Sequence, residues 1–227
     1  MDFFPLWNSL RIAFFSCIVV FFTGIFAAYY IAKLSPVWKG ILDVFFTLPL
    51  VLPPTVCGYL LLLIFGLKRP AGQFLAGYGF QFVMTWYGGI LASAVVAFPL
   101  MYRTARGAFE SYDRNLDYAG QTLGLSNSYI FWRVRMPACK QGILAGVVLS
   151  FARALGEYGA TSMLIGYTPG KTATISTTVY QLWRTGDEKG AFLWVLVNLA
   201  ISVVVMLAVN LLEKDSNRLR QKGFGSV

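Results

Sequence analysis

Arg153 and Glu157 stand four residues apart inside an otherwise apolar stretch. Read as one helix, that spacing puts both charges on the same face. A charge at the middle of a bilayer costs about 2.5–3.5 kcal/mol even on the lenient insertion scale, so neither group is expected to face lipid. Two readings follow. The pair fixes helix packing inside a bundle, or it borders an ion route or its gate. Ser150, Thr161 and Ser162 offer hydroxyl donors nearby. Other reactive groups are scarce. The 227 residues include no histidine, which removes the usual general base near neutral pH and the commonest metal ligand. Cys17, Cys57 and Cys139 show neither a metal spacing nor a disulfide framework and read as small packing residues. No glycine-rich phosphate loop ending in Gly-Lys-Ser/Thr is present, so the chain is not expected to hydrolyse ATP itself or to bind a cofactor.

The elements that must hold these residues are membrane helices. The chain is 57% hydrophobic, above the 45–50% or so of a soluble domain. The excess comes in blocks of about 20 residues, the length that crosses a hydrocarbon layer roughly 30 Å thick. In lipid the backbone must satisfy its own hydrogen bonds, and blocks this long mean helices. Five spans are expected, near residues 12–32, 41–65, 82–101, 143–165 and 192–212, with a sixth, partial span left open at a short helix near 174–183. The first apolar run lacks a basic leader and a small-x-small cleavage site, so it is expected to stay as an anchor. The second span carries Pro49, Pro53 and Pro54, followed by Thr55, and should kink or break near mid-membrane. That break is either a packing kink or backbone lining a cavity.

The net charge of +9 is explained without nucleic acid by the gathering of Lys and Arg in cytoplasmic loops. With the N-terminus outside, twelve basic residues fall inside, including Lys33, Lys39, Arg103, Arg106, Arg114, Lys140 and Lys214. Lys68, Arg69, Lys171, Arg184 and Lys189 fall outside. The bias predicts an outer N-terminus and a cytoplasmic C-terminus.

The segment at residues 103–140 then forms an inner loop. It reads as helix, stop, short helix, stop. Gly124 suits a left-handed terminator. Ser126 can cap the next helix. Tyr129, Ile130, Phe131, Trp132 and Val134 make that helix aromatic, with Arg133 and Arg135 beside them and Pro137 at the turn into the next span. A helix this short and aromatic needs cover, either from the lipid interface or from a groove on a partner protein.

This loop resembles the EAA loop of ABC importer permeases. The family pattern is Glu-Ala-Ala, three residues, Gly, nine residues, then Ile-x-Leu-Pro. Here Tyr118-Ala119-Gly120 is followed at the same spacings by Gly124 and by Val134-Arg135-Met136-Pro137. Tyr118 stands where the family has Glu, with Asp117 adjacent. The run from Thr47 to Leu63 resembles the second-span signature of molybdate permeases. Phe151 to Thr161 is similar to an element shared by molybdate and sulfate permeases, and Pro169 to Tyr180 resembles the molybdate branch. The resemblance implies an all-α integral membrane protein of the type I importer fold, a single permease domain over residues 1–227. It implies a tetrahedral oxyanion as cargo, molybdate first, with sulfate, thiosulfate and tungstate as alternatives. It implies that residues 126–135 form a coupling helix seated on an ATPase subunit. Two ATPase subunits, an external oxyanion-binding protein and a second copy of the chain would be the partners. In that setting Arg153 would attract the anion and Glu157 would keep it from being trapped.

Small residues in the fourth span, Ala152, Ala154, Gly156, Gly159 and Ala160, allow close helix approach and favour a subunit interface. A five-helix chain is also too small to enclose a gated path, and a symmetric pair is the economical solution. A secondary transporter or channel would show internal repeats or an intramembrane relay. A membrane enzyme would need a nucleophile–base set. Neither is evident.

Overall fold

The computed structural model describes residues 2–224, with side chains to Leu207. The expected end of the fifth span beyond residue 207 and the basic residues Lys214, Arg218, Arg220 and Lys222 lie outside the described side chains. The regular elements among the described residues are all helices. In chain order the helices are α1 (Phe4–Ile31), α2 (Pro36–Val51), α3 (Pro54–Phe65), α4 (Pro70–Gly77), α5 (Trp86–Glu110), α6 (Asn115–Thr122) and α7 (Asn127–Ile130). A π-helical turn (Phe131–Arg135) follows, then α8 (Met136–Ala138), α9 (Lys140–Leu155), α10 (Gly159–Ile165), α11 (Ile175–Arg184) and α12 (Glu188–Phe224).

Proline sets several of the starts. Pro5, Pro36, Pro54 and Pro70 occupy first-turn positions of α1 to α4, where a missing backbone N–H costs nothing. Among the described residues, α1, α5 and the 188–207 part of α12 are each long and apolar enough to cross a membrane. Counting each of two bent helix pairs, Pro36–Val51 with Pro54–Phe65 and Asn127–Ala138 with Lys140–Leu155, as one span brings the number among the described residues up to five. The first span starts eight residues earlier than the sequence suggests, because the polar Asn8, Ser9 and Arg11 are held inside the fold. Asn8 Nδ2 donates to the Ala173 carbonyl at 2.9 Å, and Ser9 Oγ accepts from the Ile175 N–H at 2.8 Å. The third span runs on to Glu110.

The second span is broken outright, with α2 and α3 inclined at 112°. Leu52 precedes Pro53 and Pro53 precedes Pro54, so both are pushed to extended backbone, with ψ of 140° and 135°. Pro49 stays inside α2. The fourth span is not one helix either. α9 ends at Leu155 and α10 begins at Gly159, so Glu157 lies in the break and not on a helix face shared with Arg153.

α1, α5 and α9 pack into the central bundle, with Ala28, Ala97, Met101, Tyr102, Ala105 and Ile143 in its core. A second core joins α3 and α10 to the start of α5 through Cys57, Leu61, Ala92, Val96, Ala160 and Leu164. A Cβ on Gly58 would sit 2.8 Å from the Ala160 Cα, and one on Gly159 would sit 2.9 Å from the Pro54 Cβ. Gly159 and Ala160 therefore serve contact within the chain, and Ala154 is buried in the central core. These residues give no support to the subunit interface that the sequence suggested. The expected short helix at 174–183 is α11, whose N-cap Thr174 forms a reciprocal capping box with Thr177. At ten residues it spans about 15 Å, half a bilayer.

Candidate functional site

Two clusters gather the residues singled out in the sequence. The first is the meeting of the two broken spans. The tight contact of Gly159 with Pro54 and the backbone of Thr55 brings the break at Pro53 against the break at residues 156–158. Arg153 Nη1 lies 2.5 Å from Glu157 Oε2. The Glu157 side chain is 1% exposed and that of Arg153 29%, so the carboxylate is buried and the guanidinium reaches the surface. Glu157 Oε1 accepts the Ala160 N–H at 2.7 Å and so ties the ion pair to the first turn of α10. Thr161 is buried in α10 with no hydrogen-bond partner for its hydroxyl among the described residues. Pro53 and Thr55 are exposed beside the break. Ser150 is not part of this group: its hydroxyl is fully buried and directed at the Ala97 carbonyl of α5, 3.5 Å away. The arrangement places one cation at the edge of a helix discontinuity, with its charge partly neutralised from the buried side. Broken backbone of this kind is tolerated in a membrane where it lines a cavity or is covered by protein.

The second cluster is the loop between α5 and α9. Gly124 has φ of +75°, the left-handed conformation expected for it, and a Cβ there would meet nothing within 4 Å. Ser126 Oγ accepts the Tyr129 N–H at 3.2 Å and caps α7. Tyr118, Tyr129 and Trp132 are exposed, and Arg133 is exposed beside them. The short helix is not without intramolecular cover, as its sequence had suggested. Ile130 is buried over Gly120, and the Phe131 ring meets Tyr29 of α1 edge-on at 4.7 Å. Helical geometry puts neighbouring side chains about 100° apart, so Ile130 and Phe131 turn inward while Tyr129 and Trp132 turn outward. The π-turn accommodates one extra residue per turn before Pro137, and the chain then bends 73° into α9.

Arg135, unlike the exposed Arg133 beside it, is partly buried. It pairs with Asp117, and its guanidinium lies 5.0 Å from the Tyr29 ring and 5.3 Å from the Tyr112 ring. Tyr112 donates its hydroxyl to Asp117 at 2.9 Å. Burial and that carboxylate push the Tyr112 phenol up to about 12. The loop is thus braced by an Asp117–Arg135–Tyr112 triad. Eighteen residues separate the two charges, so spacing alone gave no sign of it. Ala119 lies in α6 one residue after the exposed Tyr118. A second network ties α2 to α5: Arg106 pairs with Asp43 and Glu110, and Lys39 pairs with Glu110. The Arg106–Glu110 spacing of four was the one sequence sign of it.

Residues 21–218 match the family described as binding-protein-dependent transport system inner membrane component. The chain belongs to that family. Over 218 residues it is 38% identical to the molybdenum transport system permease protein ModB of Escherichia coli K12, covering 93% of this chain and 95% of ModB. The sulfate transport system permease protein CysW of Synechococcus elongatus is 32% identical over 195 residues, 86% of this chain and 68% of CysW. In three dimensions the chain superposes on an inward-facing MetNI methionine ABC transporter with a TM-score of 0.73 at 13% identity, covering 93% of this chain and 94% of that one. The fold is that of type I ABC importer permeases, and these relatives are transport proteins and not enzymes.

Proposed function

We propose that the chain is the membrane-spanning subunit of an ATP-driven importer of molybdate. The identity with a molybdenum permease over nearly the whole chain carries the cargo assignment, because the sulfate relative is less similar over less of its length. In this reading ATP is bound and hydrolysed by a separate subunit. Two copies of the chain, two ATPase subunits and one external oxyanion-binding protein make the working assembly, set in the cell membrane with the N-terminus outside and the C-terminus in the cytoplasm. No nucleic acid takes part.

The loop at 103–140 is the coupling element. Tyr118, Tyr129 and Trp132 present aromatic surface to the ATPase, while Ile130, Phe131 and Arg135 fasten the knob to α1 and α6. The Ala119-Gly120 pair lets α6 approach Ile130, Gly124 and Pro137 set the turns at either side, and Arg133 adds a charge at the rim. A knob fastened in this way moves its attached spans as a rigid body when the ATPase subunits close and open. The junction of the broken spans borders the anion route. Arg153 draws a dianion to it, and the buried Glu157 keeps the site from holding that dianion too well. Pro53, Pro54 and Thr55 form the opposing edge, and Thr161 supplies a hydroxyl once its helix shifts.

The test is uptake by proteoliposomes that contain the chain, its ATPase and its binding protein. Molybdate should enter only with ATP inside the ATPase compartment, and excess sulfate should compete weakly. Equal import of sulfate and molybdate, with either one loaded on the binding protein, would overturn the cargo assignment.

A further inference from the structure

Two cavities adjoin beside the coupling loop. One, of about 310 Å³, lies between the last turn of α1 and the loop; Lys33, Arg114, Arg135, Asp117 and Tyr112 are among its lining. The other, of about 330 Å³, runs up α1 along Phe21, Phe22, Ile25 and Phe26 and has Trp132 on its far wall. Tyr29, Asn127 and Phe131 line both. The result is a slot that is basic at one end and aromatic at the other.

We infer that this slot holds an anionic phospholipid, its acyl chain along α1 and its phosphate between Lys33 and Arg114. Charge complementarity singles out the occupant. Asp117 is already engaged by Arg135 and Tyr112. Lys33 and Arg114 are exposed, and among the described residues neither has a carboxylate within ion-pair distance. The Lys33 ammonium sits 3.8 Å over the Tyr29 ring, just past the end of α1, where a cation meets lipid headgroups. The aromatic end lies on a helix long and apolar enough to cross the membrane, with Phe22 and Phe26 largely exposed on it. Hydrocarbon covers such a surface. A free anion would use only the basic end of the slot, and a soluble protein partner at Trp132 would leave Phe22 and Phe26 on the membrane-spanning α1 uncovered. Tyr29 and Phe131 wall the slot and also fasten the coupling segment, so an occupied slot braces that segment against α1. The inference rests on the loop lying at the membrane surface and is independent of the cargo.

The experiment is native mass spectrometry of the full chain in complex with its ATPase, titrated with phosphatidylglycerol or phosphatidylcholine of the same acyl chains. The wild-type complex should retain phosphatidylglycerol in preference, and excess inorganic phosphate should not displace it. Lys33→Gln with Arg114→Gln should weaken phosphatidylglycerol binding on the order of five-fold per charge removed. Lys68→Gln with Arg69→Gln, which line neither cavity, should leave it unchanged. Equal retention of both lipids, or an undiminished preference in the Lys33/Arg114 variant, overturns the inference. So does an equal loss in the Lys68/Arg69 variant. Displacement by inorganic phosphate would mark a free-anion site instead. Loss of the ATPase from the Lys33/Arg114 variant, with the lipid preference intact, would mark a protein-docking site.

Discussion

Replacing Arg153 by Ala removes the one cation, among the described residues, that pairs with a carboxylate whose side chain is 1% exposed. Glu157 then keeps a single hydrogen bond, from the Ala160 N–H, and Oε2 is left without a partner. Breaking one side of a buried ion pair costs about 3–5 kcal/mol, because the remaining charge is uncompensated. For a chain of 150–250 residues each kcal/mol moves the thermal midpoint by about 2–4 °C. Arg153→Ala should therefore lower the midpoint by roughly 6–20 °C. Adding Glu157→Gln removes the buried charge and keeps an acceptor for the Ala160 N–H. The double variant should lose only about 1–2 kcal/mol, the scale of a lost hydrogen bond and some packing. The assay is thermal unfolding of detergent-extracted protein followed by size-exclusion chromatography, with uptake measured on the same samples. If Arg153 also meets the anion, the double variant recovers stability and still fails to transport. Equal destabilisation of the single and double variants would refute the coupling of the two residues; full transport by the double variant would refute their place on the route.

Asp117→Ala should leave Arg135 half-buried and unpaired and loosen the loop by about 2–3 kcal/mol, whereas Asp117→Ala with Arg135→Met should recover part of that loss; limited proteolysis of the loop reads the difference. Tyr112 titrates near 12 in the fold against an ordinary value of 10.0, so its contribution is complete below pH 10 and is lost as the pH rises through about 12. Tyr112→Phe should remove that alkaline component from a pH series of melting temperatures. A cysteine placed at Ser216 should react with membrane-impermeant reagents only from the cytoplasmic side, and one at Gly77 only from the outside.

The sequence made the helical class legible because apolar blocks of bilayer length have few other solutions. It also made the loop legible, since Gly124 and Ser126 act locally: a left-handed turn and a cap depend on a few neighbouring residues. The break after Pro53 was readable for the same reason. The break at residues 156–158 was not, because no proline marks it, and the buried Glu157 contact to Ala160 is what holds it. Which aromatic residues of the segment at 126–135 turn inward depended on α1, a hundred residues away in sequence, where Tyr29 receives Phe131. The Asp117–Arg135 brace and the α2–α5 ion network are tertiary in the same sense. Small residues at the start of α10 pointed to close packing, but only the fold showed that the partner is α3 of the same chain.

The central claim is that the segment between Gly124 and Pro137 passes ATP-driven motion to the membrane helices. Gly124→Val tests it with little steric disturbance, because a Cβ there has open space and the cost is confined to the left-handed backbone, which a β-branched residue resists. The decisive measurement is ATP hydrolysis and molybdate uptake, side by side, in proteoliposomes carrying wild-type chain, Gly124→Val or Trp132→Ala with the ATPase and the loaded binding protein. The account predicts normal insertion of all three proteins, with uptake lost in both variants through loss of ATPase association or through hydrolysis that no longer responds to the loaded binding protein. Normal ATPase binding with wild-type uptake in both variants would contradict it.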